Sequence, residues 1–267
     1  MSAFPIAACV QMCSGSNVDA NVRVVDSLVG ESAARGACFV ATPENTTVLS
    51  TPADKLAHAE PLDGPTNRRL AEIARRHDVW LLVGSVAERV NETRCFNTSL
   101  LFDNAGELRA SYRKIHLFDV DIPGARFQES AFVQPGSALE TCDTPIGRLG
   151  LSICYDLRFP ELYRGLTAAG ATAIAVPSAF TVPTGEAHWH VLLRARAIET
   201  QAWILAPAQA GEHGNGRRSY GHSLMIDPWG QVVAERPEGE GVVTAEIDLS
   251  QVARVRAGMP VSAHRRL

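Results

Sequence analysis

The sequence predicts an α/β protein, a four-layer α-β-β-α sandwich built from two similar halves. Two observations carry that expectation: short apolar runs alternate with longer helical segments along the chain, and part of the pattern occurs twice. A third sets the scale. With 46% hydrophobic and 20% charged residues in 267 positions, there is enough apolar surface for one large domain spanning 1–267, and disorder, collagen and coiled coil are excluded.

The apolar runs cover residues 6–10, 38–41, 80–83, 99–102, 149–154, 173–176, 203–206 and 223–226, lengths suited to strands. Helical composition fills 17–35, 66–77, 159–169 and 188–201, the last introduced by Thr184-Gly185-Glu186 and rich in Ala, Leu and Arg. Gly36-Ala37-Cys38-Phe39-Val40-Ala41-Thr42-Pro43-Glu44 has a counterpart in Gly170-Ala171-Thr172-Ala173-Ile174-Ala175-Val176-Pro177-Ser178. Likewise Ser99-Leu100-Leu101-Phe102-Asp103 with Gly106 resembles Ser223-Leu224-Met225-Ile226-Asp227 with Gly230, and both Asp-x-x-Gly segments read as turns between paired strands. The chain thus holds two copies of a strand-helix-strand-helix-strand-strand unit, about 1–110 and 145–240, joined by an insertion. Half-sheets with helices on one face bury their other faces on each other, which gives the sandwich. Ligands sit beyond the carboxyl ends of strands in α/β sheets. That rule points to Glu44, Cys154, Ser178 and Phe180, and there the copies differ: one has a carboxylate where the other has Ser178.

Lys and Arg number 25 against 29 Asp and Glu, a net charge of −4, so electrostatics favours neither nucleic acid nor an anionic membrane as partner. The start of the chain lacks the Lys/Arg-led apolar stretch of a signal peptide, and no window approaches the roughly 18 unbroken apolar residues of a membrane span. A cytoplasmic protein is expected. Six cysteines, at 9, 13, 38, 95, 142 and 154, form no Cys-x-x-Cys pair and are expected as free thiols. His188 and His190 point to different faces of their helix and make a poor metal pair. Residues 211–221 are glycine-rich without a phosphate-binding pattern and read as a mobile loop. No metal and no cofactor is expected.

Four residues invite chemistry. Cys154 closes a strand shortly before Pro160, which suits a helix start, and a thiol near a helix N-terminus lies in a field that favours thiolate; a small buried residue is the plain alternative. Glu44 follows an apolar strand and Pro43, where a carboxylate is poorly solvated and fit for general-base work, though a helix cap or an ion-pair partner explains it equally. Lys114 lies in Tyr112-Arg113-Lys114-Ile115-His116-Leu117-Phe118, an amphipathic segment before the irregular stretch 119–136. It could meet an oxyanion and depress the thiol pKa, or stand solvated beside Arg113. Glu129 divides evenly between surface residue and second site carboxylate.

Pro43-Glu44 after a strand, Tyr112-Arg113-Lys114-Ile115-His116-Leu117, and Ser152-Ile153-Cys154-Tyr155-Asp156-Leu157-Arg158-Phe159-Pro160-Glu161 together resemble the Glu, Lys and Cys motifs of the nitrilase superfamily of carbon-nitrogen hydrolases. The motifs occur in the family's order, and the resemblance runs from Ile6 to Ile247. It implies the sandwich already inferred, a homodimer formed across helices near the nucleophile, and no cofactor. Phe118-Asp119-Val120-Asp121-Ile122-Pro123-Gly124, Leu193-Arg194-Ala195-Arg196-Ala197-Ile198-Glu199-Thr200-Gln201 and Ser219-Tyr220-Gly221-His222-Ser223 are similar to the amidase branch that includes deaminated-glutathione amidase and ω-amidase.

The resemblance implies an amidase that hydrolyses the terminal amide of a small 2-oxo acid to the acid and ammonia through a cysteine thioester, with deaminated glutathione as the first substrate expected. Alternatives are 2-oxoglutaramate, an N-carbamoyl or aliphatic amide, and a non-catalytic interaction domain of the same fold. It also makes Cys154 the nucleophile, Glu44 the base, Lys114 and the N–H after Cys154 the oxyanion donors, and Glu129 the group orienting Lys114. Arg158, Phe180 and Thr184 are assigned by the resemblance to the 2-oxo acid end of the substrate, with Tyr155 in the same pocket. Arg158 suits a carboxylate through its planar fork; a salt bridge to Glu161 is its alternative.

Overall fold

Sheets covered on both faces need strands that are apolar on both faces, and the short apolar runs are such strands. The computed structural model describes residues 4–122, 125–214 and 216–266. Residues 1–3, Pro123 and Gly124 of the 118–124 motif, Asn215 of the glycine-rich loop, and Leu267 lie outside it. The first half contributes β1 (Ile6–Gln11), α1 (Val18–Ala34), β2 (Ala37–Ala41), α2 (Pro52–Ala57), α3 (Pro65–Arg76), β3 (Trp80–Arg89), β4 (Cys95–Phe102) and β5 (Leu108–Arg113). The hairpin β6 (Asp119–Ile122) and β7 (Ala125–Gln128) and the short β8 (Val133–Gln134) come next. The second half contributes β9 (Thr141–Thr144), β10 (Gly147–Leu151), α4 (Pro160–Ala168), β11 (Ala173–Ala175), α5 (Val182–Thr200) and β12 (Trp203–Ala206). After the small hairpin β13 (Ala210–Glu212) and β14 (Arg218–Tyr220) come β15 (Ser223–Ile226), β16 (Val232–Arg236), β17 (Gly241–Glu246), α6 (Leu249–Gly258) and α7 (Val261–His264).

The duplication is visible in the topology. One sheet runs β17-β1-β2-β3-β4-β5 and the other β16-β15-β12-β11-β10-β9, so each has three parallel strands followed by an antiparallel pair, with one more antiparallel strand beside the first. Both predicted turns are the same turn. The Oδ1 atoms of Asp103 and Asp227 each accept two backbone N–H bonds, at 2.9–3.0 Å, from the second and fourth residues on. Gly106 and Gly230 close these turns at φ of 82° and 88°, where a side chain would be strained.

Four layers arise from alternation along the strands. Ala7, Cys9, Phe39, Leu82 and Leu101 pack into one core with Leu151, Ala175, Leu205 and Met225 of the other sheet. Their neighbours Ala8, Val10, Val40, Leu81 and Leu100 point the other way, into a second core with Val22, Val25 and Val29 of α1 and Leu70 and Ile73 of α3. Helices α4 and α5 cover the outer face of the second sheet.

Several expectations need correction. The run 149–154 is a strand only to Leu151; Cys154 opens a 3-10 turn, Cys154–Arg158. Helix α5 begins at Val182, ahead of the expected 188, because Pro183 sits in the first turn, where a missing N–H costs nothing, and Gly185 is needed where the Tyr220 ring presses on the backbone. The segment around Lys114 is the end of strand β5, and 211–221 is largely the hairpin β13–β14. Strand β17 returns to pair with β1, so the C-terminal end of the second half completes the first sheet. All six cysteines are free, and among the described residues no helix is long and apolar enough to cross a membrane.

Gly84 on β3 lies against the chain leading to Glu44, and a Cβ there would overlap the carbonyl oxygens of Thr42 and Pro43. Gly84→Ala is expected to lower the unfolding free energy by about 1–3 kcal/mol, seen as a lower urea midpoint at unchanged slope.

Candidate active site

Three chain segments that end strands meet in one cavity of about 300 Å³, at the small end for ligand pockets. Glu44 follows β2, Lys114 follows β5 directly, and Cys154 stands three residues beyond β10. Glu129 opens the 3-10 turn Glu129–Ala131 after β7. All four line the cavity, as do Tyr155, Arg158, Phe180 and Thr184, so every residue to which the resemblance gives a role is brought together.

Lys114 organises the floor. It is 1% exposed, and its Nζ donates to Glu44 Oε1 and to Glu129 Oε2, each at 2.9 Å. Asn97 on β4 spans the same two carboxylates, its Nδ2 donating to Glu44 Oε1 at 3.0 Å and to Glu129 Oε1 at 3.2 Å. The Phe118 N–H adds a 2.7 Å bond to Glu129 Oε2. Burial alone would push the Glu129 carboxyl up, but the charges of Lys114 and Lys55 outweigh it and bring its pKa down to about 2. Lys114 is likewise discouraged by burial from holding charge, and the two carboxylates reverse this, raising its pKa well above the ordinary lysine value.

Cys154 has a backbone φ of 51°, a left-handed conformation that costs a non-glycine residue of order 1 kcal/mol and has to be held by its surroundings. Its N–H donates to Pro177 O at 3.0 Å. Asp156, fully buried, takes the Ile153 N–H at 2.9 Å, the Tyr112 hydroxyl at 2.7 Å, and the backbone N–H and Nδ1–H of His116 at 3.0 and 2.7 Å. This one carboxylate therefore ties the segment carrying Lys114 to the turn carrying the thiol. Burial, then the nearby Glu44 charge, push the Cys154 pKa well above the usual thiol value, and Lys114 lowers it by less. Desolvation beside a carboxylate thus outweighs the thiolate-favouring field expected of the turn's N-terminus and of the lysine.

The cavity lining is positive overall: the buried Lys55 and Lys114 stand with Glu44 and Glu129, and Arg126, Arg158 and Arg217 add three further cations, in a chain whose net charge is −4. Arg158 lies between aromatic rings, its guanidinium carbon 5.6 Å from the Tyr155 centroid and 5.7 Å from that of Phe180, with His188 Nδ1 at 3.2 Å. Among the described residues no carboxylate lies within 4 Å of it, so the ion pair with Glu161 does not form. Thr184 sits in the first turn of α5, its hydroxyl 2.8 Å from that of Thr181.

Sequence reasoning did not single out Asn97, Asp156, Lys55 or Arg126, and it reads Arg217 with Arg218 as solvated surface, whereas Arg217 lines the cavity. Asp156 and Asn97 act through partners far away along the chain, which no local pattern records. Lys55, on the short amphipathic α2, looks like a solvated lysine, yet it is buried and donates to Asn45 Oδ1 at 2.6 Å.

Comparison with known proteins agrees with the geometry. Residues 6–257 match the carbon-nitrogen hydrolase family. The deaminated glutathione amidase of Yersinia enterocolitica is 45% identical over 264 residues, 97% of this chain and 92% of that protein. The crystal structure of the C. elegans NitFhit protein superimposes with a TM-score of 0.92 at 40% identity, covering 100% of this chain and 66% of that one. An amidase variant from Nesterenkonia sp. AN1, with acrylamide added at its active-site cysteine, matches with a TM-score of 0.80 at 26% identity, covering 97% of this chain and 99% of that one.

Glu129 gives the site an acid signature. Its folded pKa of about 2 lies below the ordinary 4.5, so the unfolded chain binds the extra proton; the stability it contributes is complete above about pH 4.5 and is lost as pH falls toward 2. Urea unfolding between pH 5 and 3 is expected to show stability falling with pH in the wild type, and falling less steeply in Glu129→Gln.

Proposed function

The chain belongs to the carbon-nitrogen hydrolase family, enzymes that hydrolyse amide bonds, and on that premise we propose that it acts on the amide of a small 2-oxo acid, first of all deaminated glutathione. The observation that carries the choice is the basic lining. Deaminated glutathione has two carboxylates, one beside the 2-oxo group and one at its glycine end, and a cavity with an unpaired Arg158 on one side and Arg126 and Arg217 on others suits a dianion. A neutral aliphatic amide would leave these cations without partners.

In the mechanism we infer, Cys154 attacks the amide carbon as Glu44 takes its proton. The oxyanion is held by Lys114, already fixed at 2.9 Å from both carboxylates, and by the Tyr155 N–H, which belongs to the first turn of a helix, where N–H groups lack intrahelical partners. Protonated Glu44 then gives its proton to the departing nitrogen. The expected release of ammonia is corrected for deaminated glutathione, whose scissile amide nitrogen carries cysteinylglycine, so that the leaving group is the amine of that dipeptide; from 2-oxoglutaramate the same step releases ammonia. Glu44 next deprotonates water, which opens the thioester, and Glu129 keeps Lys114 aimed throughout. Arg158 pairs with the 2-oxo acid carboxylate, while Phe180, Thr184 and Tyr155 enclose that end.

Two further readings accompany this one. A cytoplasmic location accords with free thiols in all six cysteines. A homodimer would bury Val191 and Ile198 of α5 together with Trp229, apolar side chains 68%, 44% and 58% exposed. Light scattering is expected to give twice the chain mass for the wild type and a shift toward monomer for Trp229→Glu.

Formation of 2-oxoglutarate and cysteinylglycine from deaminated glutathione tests the substrate. Cys154→Ala is expected to reduce kcat more than about a thousandfold, and retained turnover would remove Cys154 from the mechanism. Arg158→Lys is expected to raise KM for 2-oxo acid amides about tenfold or more, the worth of a charge-assisted bond, and to leave simple amides unchanged. Equal losses on both would count against a carboxylate clamp.

A further inference from the structure

His188 and His190, adjacent but one in the sequence, part company in the fold. His188 meets Arg158 at the cavity, whereas His190 on α5 meets His222, between β14 and β15, and Glu235 on β16. Glu235 Oε1 accepts from His190 Nε2 at 2.8 Å and from His222 Nδ1 at 2.6 Å, and the three ligand atoms lie within 4.8 Å of one another. None of the three lines the cavity. We propose that His190, His222 and Glu235 form a binding site for a divalent metal of the zinc class, separate from the amidase pocket, with water completing the coordination.

Two imidazoles and one carboxylate are a donor set that Zn²⁺ takes in sites with three protein ligands and an open position. The set is drawn from three elements, and its centre is braced. The His222 ring stacks on Tyr220 with centroids 4.2 Å apart and planes 19° from parallel, and its carbonyl accepts from Trp189 Nε1 at 2.8 Å. Outer contacts of this kind orient a metal-binding ring. Tetrahedral bonds of about 2.1 Å place ligand atoms roughly 3.4 Å apart. Each nitrogen-to-carboxylate separation therefore opens by about half an ångström and the nitrogens draw together. Those are movements within reach of side chains left 33%, 24% and 27% exposed. The ring protons now directed at Glu235 pass to His190 Nδ1 and His222 Nε2, and both rings enter as neutral imidazoles. Occupied, the site would tie α5, whose first turn carries Thr184, to the β15–β16 hairpin.

The test titrates Zn²⁺ alone into the full chain carrying Cys154→Ala, which removes a competing thiol, against a chromophoric chelator. One equivalent per chain is expected, with affinity reduced at least about tenfold by His222→Ala and by Glu235→Gln taken singly. Co²⁺ is expected to give visible d–d bands that disappear in His190→Ala. Zn²⁺ is also expected to raise the Tm of the parent but not of the triple variant, the two being compared first in EDTA so that a folding defect is separated from lost binding. No uptake by the parent, or uptake unchanged in the three variants, would overturn the proposal.

Discussion

A buried ammonium shared by two carboxylates sets the terms for everything around it. Burial alone would discourage charge on Lys114 and on Glu129, because taking such groups out of water costs several kcal/mol each before their attraction is counted, and each is held charged by its neighbours. Two acids on one lysine still leave an excess negative charge. Lys55, buried and facing Glu129 and Glu44, makes up the difference, although burial lowers its own pKa. The two lysines and two carboxylates offset one another in formal charge, and Asn97 bridges the two carboxylates.

The cluster's position is a product of the duplicated architecture. Each half ends its second parallel strand at the same place, and the two copies use it differently. After β2 stands Glu44, on the lysine; at the matching place after β11 stands Ser178, whose hydroxyl merely donates to Val176 O at 3.0 Å. One half thus supplies acid and amine, while the other supplies the thiol and the rings and guanidinium that would receive substrate. Asp156 joins the halves at the point where their relative position matters most, between Tyr112 and His116 on one side and the Cys154 turn on the other.

This division also explains how much could be read from the sequence. Strands such as Trp203–Ala206 and Ser223–Ile226 are sheathed on both faces, so they appear as unbroken apolar runs and their limits are found to the residue. Strand β16, whose Val232, Val233 and Glu235 are exposed, and β17, which crosses to the other sheet, carry no such signature. Glu44, Lys114 and Cys154 were legible because reactive residue types at strand ends are few and their order along the chain resembles a known family. Asn97, Asp156 and Lys55 were not, since each is an ordinary polar residue until a distant segment arrives beside it. The upward push on the Cys154 pKa is hidden for the same reason: the local field of a turn is visible in sequence, and the desolvation and the carboxylate that outweigh it are tertiary.

The upward push on the thiol pKa bears on how Cys154 can act. A thiolate there would add a negative charge beside the Glu44 carboxylate in a buried position, which is the direction burial and that carboxylate both oppose. In the proposed mechanism, attack with simultaneous transfer of the proton to Glu44 would avoid it, because the charge that leaves Glu44 would appear on the substrate oxygen beside Lys114. The total charge would then be the same before and after the step, redistributed around the lysine. A basic lining serves this arrangement without disturbing it: Arg126, Arg158 and Arg217 line the cavity where a dianionic substrate would offset two of their three charges, while the two lysines and two carboxylates beside the thiol offset one another beforehand.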